Sequence, residues 1–208
     1  MNELNPFEKG LLRYLTREPL EKLEKIKIGI AGCGGIGSNC AHYLVRCGFK
    51  KFVLIDPDLV DESNLNRQFY FDNQVGFPKV EMLQQNLIAI NNNVSIQKIQ
   101  MQISADNIES CLGQCDVIVE AFDNVKSKKI LTEAFLNSKK LVVTVSGMGG
   151  YGDPDAIICR KIRNNFYMVG DGKSEITNRV FPFAPKTNIV AAKQADIIFN
   201  YYLTNCCL

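Results

Sequence analysis

The chain has 208 residues, 46% of them hydrophobic and 22% charged, with a formal net charge of +2. That balance supports one well-filled core and excludes an intrinsically disordered chain. The near-neutral charge gives no electrostatic case for nucleic acid, and no apolar run is long enough to cross a membrane.

The first residues, Met1 to Gly10, lack the apolar stretch of a signal peptide, which points to the cytoplasm and to eight reduced cysteines. Residues 7–24 predict a helix, with Phe7, Leu11, Leu12, Leu15 and Leu23 as its apolar stripe and Pro19 as an interruption. Ile26 to Ala31 then reads as a strand. It ends in Gly32-Cys-Gly-Gly-Ile-Gly37, and an amphipathic segment, Ser38 to Cys47, follows as a helix. Strand, glycine turn and helix together read as a phosphate-binding unit, the plain alternative being a glycine turn in an α/β domain that binds nothing. Gly32 lets the chain reverse, Gly34 and Gly35 let backbone approach a phosphate, and Gly37 lets the helix lie close on the sheet. Unpaired N–H groups at the positive end of the helix would hold the anion.

The second strand, Lys51 to Ile55, ends in Asp56, placed to accept hydrogen bonds from ribose hydroxyls. Turn and carboxylate together indicate an adenine nucleotide without saying which. Ser38 stands where a Walker A loop needs lysine, so this is not a P-loop protein. Residues 56–69 are too polar for core and start where α/β sheets place ligands. Pro78 stands at a first helical position, and Lys79 to Ile90 reads as a helix. Val94 to Ile99 alternates as a strand, and Ser104 is placed to cap a short helix through Cys111. Val117 to Ala121 is a buried strand leading to Asp123, Val125 to Asn137 a helix, and Leu141 to Val145 a further strand. Beyond the glycine turn at residues 147–152, Ile157 to Ile162 and Phe166 to Val169 suggest two short strands. A loop over residues 170–174 follows, then Pro182 and Pro185, then a final helix from Thr187 to Leu203. The alternation predicts an α/β fold: a Rossmann-like, doubly wound, mostly parallel sheet with a small β extension near the C-terminus. One domain is expected over 1–208, with an N-terminal helical segment (1–25), a nucleotide-binding core (26–145) and C-terminal strands and helix (146–208).

Three polar groups fall at strand ends or loops near the glycine turn. In Ser63-Asn-Leu-Asn-Arg-Gln68, Arg67 offers a fork of donors to phosphate, while Asn64, Asn66 and Gln68 offer hydrogen bonds to sugar or phosphate. Lys79 is a point charge suited to a phosphate. Asp123, beside Asn124, is placed as a magnesium ligand near a triphosphate. Each has a plain alternative: Arg67 at the surface, Lys79 solvated, Asp123 capping the helix from Val125. Taken with Gly34 and Asp56, the binding reading is the stronger one.

These residues resemble a known family. Gly32-Cys-Gly-Gly-Ile-Gly-Ser38, Asp56-Pro-Asp58, Ser63-Asn-Leu-Asn-Arg-Gln68, Gly76-Phe-Pro-Lys79 and Ala121-Phe-Asp-Asn124 look like the adenylation domain of ubiquitin-activating enzymes and their bacterial relatives, the ThiF/MoeB/HesA proteins. The short length and Ser146-Gly-Met-Gly-Gly-Tyr-Gly152 look like the compact ThiF type of thiamine biosynthesis. The resemblance implies an adenylyltransferase that uses ATP and magnesium. It activates the C-terminal Gly-Gly carboxylate of a small ubiquitin-like sulfur carrier as an acyl-adenylate and releases pyrophosphate. It assigns Gly32, Gly34, Gly35, Gly37, Asp56, Asp58, Asn64, Asn66, Gln68 and Asn124 to nucleotide binding, with Asp56 on the ribose. Arg67 and Lys79 go to the phosphates, and Asp123 to magnesium. It further implies a homodimer in which an N-terminal arginine, Arg13 or Arg17, reaches the partner's nucleotide.

The chain departs from the family in its cysteines. It has no C-x-x-C pair, and Cys206-Cys207 has the wrong spacing, which argues against structural zinc. Cys159 falls in a predicted strand, where burial would make it inert. Cys33, Cys40, Cys47, Cys111 and Cys115 read as small apolar fillers and His42 as structural. Two other function classes compete. A nicotinamide-dependent oxidoreductase would explain the glycines and Asp56 but leave Arg67, Lys79 and Asp123 idle. A non-catalytic partner-binding module would have no use for the full set of ATP groups.

Overall fold

A computed structural model describes residues 4–175, 177 and 179–204. Cys206-Cys207 lies outside the described residues. Two short helices, α1 (Pro6–Leu11) and α2 (Arg17–Leu23), come first. The sequence predicts one helix here, interrupted at Pro19. The break falls instead at residues 12–16, and Pro19 sits in the first turn of α2, where a missing N–H costs nothing.

Seven strands follow: β1 (Lys27–Ala31), β2 (Lys51–Ile55), β3 (Ser95–Ile99), β4 (Val117–Glu120), β5 (Leu141–Val145), β6 (Ile158–Arg163) and β7 (Phe166–Gly170). They form one sheet in the order β3-β2-β1-β4-β5-β7-β6, parallel throughout except for the β6–β7 hairpin. The sheet is Rossmann-like and doubly wound. Its strand order reverses between β1 and β4, and the crevice at their carboxyl ends is where such sheets bind ligands.

The connecting helices are α3 (Gly35–Arg46), α4 (Lys79–Ile90), α5 (Ile108–Leu112), α6 (Val125–Phe135) and α7 (Ala184–Thr204). None of the described helices is long and apolar enough to cross a membrane. Three of these helices start elsewhere than expected, each for a local reason. α3 starts at Gly35 rather than Ser38, because the glycine turn itself supplies the first helical turn. α5 starts at Ile108, and Ser104 donates its own N–H to the Asn107 side chain at 2.9 Å instead of capping. α7 starts at Ala184, since Pro185 fits a first turn whose N–H groups need no partner.

The sheet is buried on both faces, which is why its central strands are continuous apolar runs. On one face Ile28, Ile30, Phe52, Leu54, Val117 and Val143 pack under α3, α4 and α7. On the other, Val53, Ile55, Ile118 and Val142 pack under α5 and α6 with Leu112, Leu131 and Phe135. Each such buried side chain contributes roughly 2 kcal/mol. α3 and α7 pack against each other, and the small side chains Cys40 and Ala41 of α3 and Ala191 and Ala195 of α7 lie in the same buried cluster. The Glu8 carboxylate, 1% exposed, joins the N-terminal segment to the sheet. Lys50 lies 2.7 Å from it and 2.7 Å from Glu24, and Asn93 donates to it at 2.8 Å.

His42, in α3, has the structural role read from the sequence. Its Nε2 accepts from Arg46 Nε at 2.7 Å, and its ring lies against Phe69 at 4.4 Å. Burial, and then the Arg46 charge, push its pKa from 6.5 down to about 4. The unfolded chain therefore takes up the proton first as pH falls, so the stability this group contributes is complete above pH 6.5 and is lost toward pH 4. His42→Phe keeps the stack and removes the titration. Urea denaturation at pH 7 and pH 4 should show the wild-type advantage over this variant shrinking on acidification by on the order of 1 kcal/mol, allowing for the ring's partial exposure. A pH-independent difference would contradict this reading.

Candidate functional site

The site forms where β1 gives way to α3. Gly32 has φ 95°, and a Cβ there would stand 2.8 Å from the Ala121 carbonyl oxygen. At Gly37 a Cβ would lie 1.8 Å from the Gly32 oxygen, and at Gly35 it would meet Thr187 Cγ2 at 2.9 Å. The chain's own packing thus requires these three glycines. Gly34 differs: the nearest atom to its virtual Cβ is Gln68 Nε2, at 3.9 Å. The N-cap of α3 is therefore left open, beside the helix's unpaired first-turn N–H groups. This cradle suits an anion.

Asp56, at the end of β2, is 5% exposed. Its Oδ2 accepts from the Cys33 N–H at 2.7 Å and its Oδ1 from the Asp58 N–H at 2.9 Å. Burial raises its pKa, opposed by the charge of Lys79. Tyr70 fixes the turn from the other side, its hydroxyl donating to the Cys33 carbonyl at 2.7 Å. The carboxylate thus positions the glycine turn, with one backbone N–H on each of its oxygens.

The segment 63–68 is joined to α3. Asn39 Nδ2 donates to the Gly35 and Arg67 carbonyls at 2.7 and 2.9 Å. Ser38 Oγ donates to the Gly34 carbonyl at 2.7 Å and accepts from the Phe69 N–H at 3.0 Å. Asn64 is buried and closes a capping box with Asp61. Arg67 Nη1 donates to the Ser63 carbonyl and to Asn66 Oδ1, both at 2.7 Å, and Asn66 Nδ2 donates to the Pro182 carbonyl at 3.2 Å. Partial burial lowers the Arg67 pKa while the Asp123 carboxylate pulls it up, so the two groups share one field. Gln68 Oε1 and Thr187 Oγ1 are buried with no hydrogen-bond partner among the described residues.

Lys79 opens α4, 6% exposed, with its Nζ 2.9 Å from Asp58 Oδ2. Asp123 and Asn124 are exposed past the end of β4. The cap of α6 is Asn124, whose Oδ1 accepts from the Ser127 N–H at 2.8 Å, so Asp123 does not have the capping role considered for it. The predicted residues therefore gather at the carboxyl ends of β1, β2 and β4. Arg13 and Arg17 are exposed, and Arg17 pairs with Glu21 at 3.0 Å. Cys159 lies in β6 as expected but is exposed, because that strand forms the edge of the sheet; partial burial still raises its thiol pKa.

Sequence reasoning missed a buried network under the site. Glu120, 1% exposed at the end of β4, accepts from Lys128 Nζ at 2.9 and 3.0 Å and from the Phe122 N–H at 2.8 Å. Burial raises its pKa against the pull of Lys128. Gln194 Nε2, from α7, reaches the Glu120 and Val143 carbonyls at 3.3 and 3.4 Å. The available signal was an acid closing the apolar run Val117-Ile-Val-Glu120, as Asp56 closes β2.

The sequence profile of the ThiF family matches residues 9–200. A tRNA threonylcarbamoyladenosine dehydratase of Haemophilus influenzae is 33% identical over 150 residues, covering 71% of this chain and 58% of that protein. The adenylyltransferase and sulfurtransferase UBA4 of Candida glabrata is 32% identical over 132 residues, covering 63% of this chain and 30% of that protein. The chain spans less than two thirds of the length of these curated relatives. Among solved structures, E. coli tRNA N6-threonylcarbamoyladenosine dehydratase (TcdA) in complex with ATP is similar at TM-score 0.87 and 20% identity, covering 96% of this chain and 94% of that one. E. coli MccB with ATP is similar at TM-score 0.72 and 21% identity, covering 96% and 64%. At such identities the structural likeness shows the fold alone.

The glycines separate fold from ligand. Gly37→Ala should cost about 3 kcal/mol or more, since backbone opposes the added methyl, and lower Tm by about 6–12 °C. Gly34→Ala should cost under about 1 kcal/mol. Equal Tm losses in calorimetry would contradict this division.

Proposed function

Since the chain belongs to the ThiF family, we propose that it is an adenylyltransferase. It binds ATP with magnesium and activates the C-terminal Gly-Gly carboxylate of a small ubiquitin-like sulfur carrier, of the kind used in thiamine biosynthesis. The observation that carries this reading is the convergence of the open Gly34 cradle, Arg67, Lys79 and Asp123 at the carboxyl ends of β1, β2 and β4. A dehydrogenase site would leave the two cations and Asp123 without a task.

In the proposed reaction a carboxylate oxygen of the carrier attacks the α-phosphorus in line. The bond from that phosphorus to the bridging oxygen breaks, and pyrophosphate leaves with the electron pair. No protein nucleophile is required, so positioning and neutralisation of charge supply the rate. In this reading the first turn of α3 and Gly34 receive phosphate, and Asp56 and Asp58 face the ribose. Asn64, Asn66, Gln68 and Asn124 line the nucleotide, while Arg67 and Lys79 meet the charge that develops on pyrophosphate.

Magnesium takes one or two carboxylates and completes its shell with phosphate oxygens and water. The exposed Asp123 fits that role. Among the described residues no group of three or more His, Cys, Asp or Glu would hold a metal alone. When bound, the ion would neutralise charge on the phosphates. A homodimer with an N-terminal arginine at the partner's nucleotide belongs to the same proposal.

One relative favours a second reading. The Haemophilus influenzae protein is named as a dehydratase of tRNA threonylcarbamoyladenosine. A threonylcarbamoyl group also ends in a carboxylate, and the same groups would activate it. Pyrophosphate release dependent on modified tRNA, and not on a Gly-Gly carrier, would select it.

Arg67→Ala should slow carrier-dependent ATP–pyrophosphate exchange about a hundredfold, or about 3 kcal/mol. Cys159→Ser, remote in β6, should change it less than about twofold. Asp123→Ala should abolish the magnesium-dependent rate with the fold intact. Arg67→Ala exchanging at the wild-type rate would remove Arg67 from the mechanism.

A further inference from the structure

Lys186, in the first turn of α7, is a buried cation with no part in the proposed nucleotide contacts. Its Nζ donates to the Gly149 carbonyl at 2.8 Å and to Asp171 Oδ2 at 2.9 Å, and lies 3.4 Å from Ser174 Oγ. These acceptors belong to two separate loops, one after β5 and one after β7. The second loop is folded around the same carboxylate. Asp171 Oδ1 accepts from the Lys173 and Ser174 N–H groups, both at 2.8 Å, and the Asp171 N–H donates to the Gly147 carbonyl at 3.0 Å. Gly147 has φ 76°, and a Cβ there would lie 2.1 Å from Asp171 Oδ1, so the first loop is shaped to receive this side chain. Burial works against the charged form of Asp171, yet hydrogen bonds from Ser174, Lys173 and Lys186 hold its carboxyl well below the usual range.

What the ammonium joins lies next to the site. Thr187, the following residue, packs on Gly35. Pro182 accepts from Asn66, the neighbour of Arg67. Phe183 stacks edge-on against Tyr151 of the first loop, with ring centroids 5.8 Å apart, and the two rings are 42% and 80% exposed. The glycine turn over residues 147–152 is thus fastened at Gly147 by the Asp171 N–H and at Gly149 by the Lys186 ammonium, with an exposed aromatic pair on its outer side.

We propose that Lys186 is a positioning residue: its ammonium clasps the loops after β5 and β7 into one wall beside Arg67, and that wall holds the chain behind the incoming carboxylate through Tyr151 and Phe183. This rests on the adenylation reading and concerns the second substrate, not the nucleotide.

The test uses the full chain, ATP, and a synthetic hexapeptide ending in Gly-Gly with a free carboxylate. Lys186→Met should raise the KM for peptide in ATP–pyrophosphate exchange at least about tenfold, a loss of about 1.4 kcal/mol in binding. ATP affinity and kcat should stay within about twofold. Lys186→Arg, which keeps the charge, should recover most of the loss. An unchanged peptide KM, or an equal loss of ATP affinity, overturns the proposal. Absence of any peptide-dependent exchange in the wild type would instead fail the Gly-Gly reading, and amide hydrogen exchange then decides the clasp. Exchange over residues 147–150 and 171–174 at least about tenfold faster in Lys186→Met, with α3 unchanged, upholds it. Equal exchange in the two proteins overturns it. Asp171→Asn serves in both arms if Lys186→Met does not fold.

Discussion

A missing methyl group governs this molecule. With no Cβ at Gly37, the first turn of α3 rests directly on the carbonyl of Gly32, where any other residue would place carbon 1.8 Å from oxygen. That contact brings the positive end of α3 to the carboxyl edge of the sheet. It also sets the plane on which everything else docks: α7 against α3, Thr187 against Gly35, and residues 63–69 against Ser38 and Asn39. Backbone-to-backbone packing of this kind has no softer alternative, which is why the turn is so rigidly specified.

The buried charges follow one rule. Glu8, Asp56, Glu120 and Lys186 are each less than a tenth exposed, and each is met by a cation, an N–H group or a carbonyl. Taking such a group out of water costs several kcal/mol unless it is paired, and removing one partner is worse than never having had the pair. These groups therefore act as fixed points. They join segments far apart in sequence, α1 to the sheet, β2 to the glycine turn, and α7 to two loops, with geometry that apolar contacts alone would leave less determined.

Much of this was legible from residues in order. Short apolar runs ending in Gly32 and Asp56, and the run Val117 to Ala121, announce parallel strands, and Ser63 to Gln68 announces a polar segment at their carboxyl ends. Other features depend on partners that only folding brings together. Lys186 carries no local signal, because Gly149 and Asp171 come beside it only on folding. Cys159 sits in a strand as expected, but its exposure is a property of sheet order, which local pattern does not contain. The early start of α3 was hidden because glycine is a poor helix former. Tertiary contact with Gly32 overrides that preference.

The antiparallel β6 has a consequence for the outer boundary of the molecule. In the rest of the sheet a helix carries the chain back between parallel neighbours and keeps its hydrogen bonds to itself. Here a strand makes the return journey, so one side of it presents unpaired amides and carbonyls to the surroundings. Such a border is a template on which a foreign strand can register. Arg160, Lys161 and Arg163, together with the register shift between Lys161 and Arg163, make it charged and uneven. The small β extension thus shares with β3, the opposite edge, a burden the central strands do not carry: it must keep the molecule from continuing into its neighbours.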